Sequence, residues 1–140
     1  GPAVHQMEKR GVETFLGKRR LNMQVLIIDN DIAYRNGVSM AASNKHWIPV
    51  SCGDIRTAKQ IISSTLPDLI ISDCLLYGET VIDLLVWMKL QRIDIPVIAV
   101  SAAADEALSA AVIKNGADCF YDKLNFTLSK IYEVLEKHQS

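Results

Sequence analysis

At 140 residues the chain has the length of one domain with room for a full hydrophobic core, so no metal or disulfide staple is required. With 49% hydrophobic residues, 22% charged residues and a formal net charge of -1, it offers no electrostatic case for nucleic-acid binding by the whole domain. Residues 95–104, the longest uncharged stretch near an apolar run, are too short to span a bilayer, and no apolar leader with a small-residue cleavage site opens the chain, which argues against secretion.

Gly1-Pro2 followed by Ala3-Val4-His5-Gln6 reads as a protease scar and vector linker, with Met7 as the native start. Residues 8–22 carry Lys9, Arg10, Lys18, Arg19 and Arg20 against Glu8 and Glu13, and Gly11 and Gly17 weaken any helix there. Residues 1–22 are therefore expected to be a tag remnant and a basic, poorly ordered leader. A short arm docking on a partner is the other reading. The folded domain is expected to occupy residues 23–140.

From Met23 strand-like and helix-like segments alternate. Residues 25–28 are a β-branched apolar run that stops abruptly at Asp29, Asn30 and Asp31, as a central parallel strand would. Residues 31–44 predict a helix with Val38, Ala41 and Ala42 facing inward. Residues 47–52 predict a second strand, which Pro49 pushes to a sheet edge because it lacks an N–H. Gly53-Asp54 is a turn and helix cap, followed by a helix with Ala58, Ile61 and Ile62 on its apolar stripe that ends before Pro67. Residues 69–72 form the third strand, and residues 80–91 a helix with Ile82, Leu85 and Met88 on one stripe and Leu84 and Trp87 beside it. Residues 96–100 are the fourth strand. Asp105 caps a fourth helix that Asn115-Gly116 closes, residues 119–121 are the fifth strand, and residues 127–137 are a last helix burying Leu128, Ile131, Val134 and Leu135.

Five such βα units with short connections predict an α/β fold with a doubly wound, five-stranded parallel sheet. Cys52, Cys74 and Cys119 are odd in number and lack metal-ligand spacing. Cys52 and Cys119 lie in apolar strand runs, so buried reduced thiols and a reducing cytoplasmic location are expected. No internal repeat or low-complexity tract interrupts the pattern.

Asp29, Asp73, Ser101 and Lys123 each follow a strand-like apolar run, so a parallel sheet would gather them at its carboxyl edge, where open α/β sheets bind ligands. Two carboxylates, a hydroxyl and an ammonium suit a divalent cation plus a phosphoryl group. In that order and on those strand ends, these residues resemble a response-regulator receiver domain across roughly residues 23–138. The resemblance implies a flavodoxin-like fold with strand order 2-1-3-4-5. It also implies a signalling switch and no enzyme beyond its own phosphorylation and dephosphorylation. Asp73 matches the aspartate phosphorylated by a histidine kinase or phosphotransfer protein. Asp29, Asn30, Asp73 and the backbone carbonyl of Leu75 match the Mg²⁺ site, Ser101 and Lys123 the phosphoryl-binding pair, and Ser101 with Phe120 the switch pair. In isolation Asp73 also reads as a loop or helix cap, and Phe120 as a core residue. The family's partners would be a kinase or phosphotransfer protein, a downstream target or output domain, and a phosphorylation-dependent second copy, with neither membrane nor nucleic acid bound directly.

The chain departs from the family in several places. Asn30 stands at the second acidic position. No Met-Pro pair follows Asp73, Val81 replaces a frequent glycine, and Leu124 replaces the proline after Lys123. These departures leave open a degenerate receiver acting as a phosphorylation-independent interaction module. A third reading takes Asp29-Asn30-Asp31 as the Asp-x-Asp of a haloacid-dehalogenase-like phosphatase. Only Glu133 and Glu136 follow Lys123 to serve as its further acids. No glycine-rich nucleotide loop follows any strand.

Overall fold

The computed structural model describes residues 22–103 and 105–139; the tag remnant and almost all of the basic leader lie outside the described residues. The elements run β1 (Gln24–Ile28), α1 (Ile32–Asn44), β2 (Ile48–Cys52), α2 (Ile55–Thr65), β3 (Leu69–Asp73), β4 (Leu75–Leu76), β5 (Glu79–Thr80), α3 (Val81–Leu90), β6 (Val97–Ser101), α4 (Glu106–Lys114), β7 (Cys119–Asp122) and α5 (Ile131–Gln139). A single 3₁₀ turn, Leu128–Lys130, leads into α5.

The main sheet has the order β2-β1-β3-β6-β7, every pair parallel. Counting only its own strands, that is the expected 2-1-3-4-5. Pro49 sits in β2 at the open edge, where its missing N–H leaves no central ladder bond unmade.

Alternation along the strands divides the core into two layers. Leu26 and Ile28 of β1 and Ile70 of β3 pack with Ile55, Ala58 and Ile62 of α2, Leu84, Leu85 and Met88 of α3 and Val112 of α4. Val25 and Ile27, with Leu69, Ile71, Ile98 and Val100, face Ala42 of α1 and Ile131, Val134 and Leu135 of α5. Each fully buried Ile or Leu contributes roughly 1.5–3 kcal/mol of transfer free energy, so the two layers hold the strand ends in fixed register.

Asp side chains start three helices, Asp54 and Asp105 at the expected positions. Asp31 accepts from Tyr34 N–H, Asp54 from Thr57 N–H and Asp105 from Leu108 N–H. The α3 stripe is rotated from the expected one: Val81 and Leu84 join Leu85 and Met88 in the core, while Ile82 and Trp87 are only partly buried. Cys119 is half-buried, in contrast to the buried thiol expected. The segment after Asp73 is also no plain loop. Leu75 and Leu76 pair antiparallel with Thr80 and Glu79, and Gly78 at φ 69 makes the tight turn that a β-carbon would strain. The expected single last helix begins as the 3₁₀ turn, with Leu128 buried beneath it.

Candidate functional site

The parallel register carries the polar residues to one edge. Ile28 pairs with Ser72, so Asp29 emerges beside Asp73, and Ser101 pairs with Asp122, one residue before Lys123. Backbone bonds fix the loops that follow: Asp29 N–H donates to Cys52 O (3.0 Å), Cys74 N–H to Val100 O (2.9 Å) and Lys123 N–H to Ser101 O (2.9 Å).

Three of the expected residues meet directly. Lys123 Nζ lies 2.7 Å from Asp29 Oδ2 and 3.4 Å from Asp73 Oδ2. Asp29 is 1% exposed, and its other oxygen, Oδ1, accepts the Asp31 N–H at 2.8 Å. Asp73 is less enclosed, and its Oδ1 accepts from Leu75 N–H at 3.4 Å. Burial, reinforced by the Asp29 charge, raises the Asp73 carboxyl above the ordinary Asp range, against the pull of Lys123. Burial alone would depress the Lys123 ammonium, but the contact with Asp29 and the charges of both carboxylates outweigh it and raise it overall. Burial also pushes the Cys74 thiol up to about 12, so its thiolate does not compete with Asp73 as a nucleophile near neutral pH.

The remaining expected residues take separate positions. Ser101 is buried at the end of β6, and its Oγ accepts the Ala103 N–H at 3.3 Å. Asn30 is half-buried next to Asp29. Phe120 is half-buried against the α2–α4 core layer and lines a hollow of about 600 Å³ beside Ser109 and Ile113 of α4.

Sequence reasoning passed over two neighbours of the cluster. The Tyr34 ring stands 4.4 Å, centroid to Nζ, from Lys123. Arg35 Nη1 donates to Asp29 O at 3.2 Å. Both lie on α1 a few residues past the helix cap Asp31, and an aromatic in the first turn after a strand-end acid was the available signal.

The donor chemistry fits a divalent cation. Asp29 Oδ2 is buried without an aligned hydrogen bond and already faces one cation, the Lys123 ammonium. The oxygens that meet there are those of Asp29 and Asp73, hard donors of the type Mg²⁺ prefers. Among the described residues no group of three His, Cys, Asp or Glu side chains is arranged to hold a metal ion, and the site offers the two carboxylates of Asp29 and Asp73. For the phosphatase reading, Asp31 Oδ1 is engaged as the α1 cap, and Glu133 and Glu136 are exposed on α5, apart from the cluster.

The model of the response regulator receiver domain matches residues 25–136, and the chain belongs to that family. It is the receiver domain of a two-component response regulator, a signalling module by family. No curated protein matches it. Its fold is similar to the signal receiver domain of a putative Luxo repressor protein from Vibrio parahaemolyticus (TM-score 0.76, 22% identity, 85% of this chain and 94% of that chain). The receiver domain of the putative response regulator NarL from Mycobacterium tuberculosis is similar too (TM-score 0.74, 23% identity, 86% and 98%). So is a response regulator protein from Burkholderia pseudomallei with a phosphorylated aspartic acid, calcium ion and citrate (TM-score 0.72, 18% identity, 81% and 66%). Among the described residues no helix is long and apolar enough to cross a membrane.

Proposed function

We propose that this receiver is a phosphoryl-accepting switch in which Asp73 takes phosphate from a histidine kinase or phosphotransfer protein. The observation that carries the reading is the Lys123 ammonium set between the Asp29 and Asp73 carboxylates at the carboxyl edge of the sheet. In the transfer an Asp73 carboxylate oxygen attacks phosphorus, the P–N bond to the donor imidazole breaks, and the leaving imidazole takes up a proton. Asp73 is the more exposed acid of the pair and presents the oxygen for in-line attack; Asp29 is sealed. Lys123 is already within reach of Asp73 and neutralises charge on the incoming phosphoryl oxygens. Asp29, Asn30, Asp73 and the Leu75 carbonyl would hold Mg²⁺, which supplies further charge neutralisation at those oxygens.

Signalling follows from the neighbours of the acceptor. The Ser101 hydroxyl, which accepts from the Ala103 N–H, turns to donate its O–H to a phosphoryl oxygen, and Phe120 moves into the space Ser101 vacates, reshaping the α4 face for a downstream target, an output domain or a second copy. A cytoplasmic location fits such a donor and the free thiols of Cys52, Cys74 and Cys119. Beryllofluoride, a phosphoryl mimic, tests the reading: with Mg²⁺ it should shift the amide resonances of Asp73, Ser101, Lys123 and Phe120 together. An unresponsive spectrum would remove the phosphoryl switch.

The degenerate-receiver reading keeps one specific support. Both Asp29 oxygens are engaged, by Asp31 N–H and by Lys123, and Asn30 contributes no charge. Under that reading partner binding is the same for the parent and for Asp73→Asn, with or without a phosphodonor.

A further inference from the structure

The Lys123 ammonium has a third neighbour besides the two carboxylates. The face of the Tyr34 ring lies 4.4 Å from Nζ, a distance at which an aromatic quadrupole stabilises a cation. The ring is held there by the start of α1, where the Tyr34 N–H is fixed to Asp31 Oδ1 at 3.2 Å. Asp31 is tied in turn to Asp29, through its own N–H to Oδ1 at 2.8 Å. Strand end, helix cap and aromatic ring thus form one short chain of contacts closing over the lysine.

That chain places a partner at each Asp29 oxygen. Oδ1 is taken by the Asp31 N–H, and Oδ2 faces Lys123 Nζ at 2.7 Å. A divalent cation at Asp29 competes with the ammonium for the same carboxylate charge and is repelled by it, so whatever holds the ammonium there weakens the cation. We infer that Tyr34 is a positioning residue that holds Lys123 on Asp29 and thereby sets how tightly the carboxylate pair takes a divalent cation. This rests on the reading that the cluster binds such a cation, and it concerns the metal equilibrium before any phosphoryl group arrives. Tyr34 is well suited to the role, because the ring acts on Lys123 without adding a formal charge to the site.

The test uses Mg²⁺ alone, without phosphodonor, titrated by calorimetry into the whole chain. Tyr34→Leu removes the ring face and keeps the site charge, so Mg²⁺ should bind about fivefold more tightly, the scale of a partly desolvated cation–π contact. Tyr34→Phe keeps the ring and should bind within about twofold of the parent. In the metal-free parent the Lys123 ε-methylene proton resonances should be displaced upfield by the ring, a displacement retained by Tyr34→Phe and lost in Tyr34→Leu. Tyr34→Met, bulky and unbranched, serves as a second ring-free variant should Tyr34→Leu fold poorly. Unchanged or weaker Mg²⁺ binding in folded ring-free variants overturns the inference while leaving the cation site standing. A Tyr34→Phe that behaves like Tyr34→Leu overturns it as well, by moving the effect to the hydroxyl. If the parent itself shows no saturable Mg²⁺ binding, the cation reading falls and this inference with it.

Discussion

Lys123 Nζ lies 2.7 Å from Asp29 Oδ2, closer than its 3.4 Å approach to Asp73. The ammonium therefore rests on the sealed acid and only reaches toward the proposed acceptor. Asp29, 1% exposed, has that ammonium as its counter-charge, and the pair behaves as a buried unit.

Breaking that unit on one side should be costly. Lys123→Met leaves Asp29 buried without its cation, and removing one partner of a buried pair typically costs ~3 kcal/mol or more. Adding Asp29→Asn should restore most of the loss. Urea denaturation of the two single variants and the double checks this, and simple additivity of the singles would deny the coupling.

Asp73 gives a pH signature. Burial and the Asp29 charge raise its folded pKa above the unperturbed 3.8. For a raised carboxyl, the stabilising contribution is fully present below the unfolded pKa and is lost as pH rises through the folded one. Asp73→Asn should thus be more stable than the parent at neutral pH, with the gap closing as pH falls toward 3.8. A gap that stays constant or widens on acidification would contradict the assigned burial and repulsion.

Asn30→Asp should tighten Mg²⁺ by restoring a carboxylate beside Asp29. Like charges a few ångströms apart in a partly buried site interact by about 1 kcal/mol or more, so the metal-free variant should also lose stability. Equal Mg²⁺ affinity by calorimetry would show that the Asn30 side chain points away from the cation.

The lifetime of a phosphoryl group on Asp73 should be long. The positions two residues past Asp73 and two past Ser101, which in receivers flank the path of the hydrolytic water, hold Leu75 and Ala103, both exposed, and neither side chain can hydrogen-bond a water. Leu75→Asn with Ala103→Glu should shorten the lifetime by about tenfold or more, since a positioned polar group is typically worth ~10²-fold. Equal decay in a chase after labelling would refute the water-access argument.

The sheet was legible because each apolar run ends in a polar residue, and burial on both faces keeps runs such as Ile27-Ile28 and Ile98-Val100 apolar throughout. Asp31, Asp54 and Asp105 marked their helices because capping is local chemistry. The β4–β5 hairpin was not legible: Leu75-Leu76 is too short a run, and only the positive φ of Gly78 exposes the turn. Tyr34 was missed because nothing local says which face of α1 meets a lysine far away in sequence. The α3 stripe misled for a related reason. A helix apolar nearly all round, with only Asp83 and Lys89 charged, leaves its buried face to the packing against α2 and α4.

The acceptor is tested most directly by intact-protein and peptide mass spectrometry after exposure to a small phosphodonor with Mg²⁺, for the parent and for Asp73→Asn. The parent should gain one phosphoryl group mapped to Asp73, while Asp73→Asn stays folded and unlabelled. Persistent labelling of Asp73→Asn, or a parent that takes no phosphoryl group, would contradict the account.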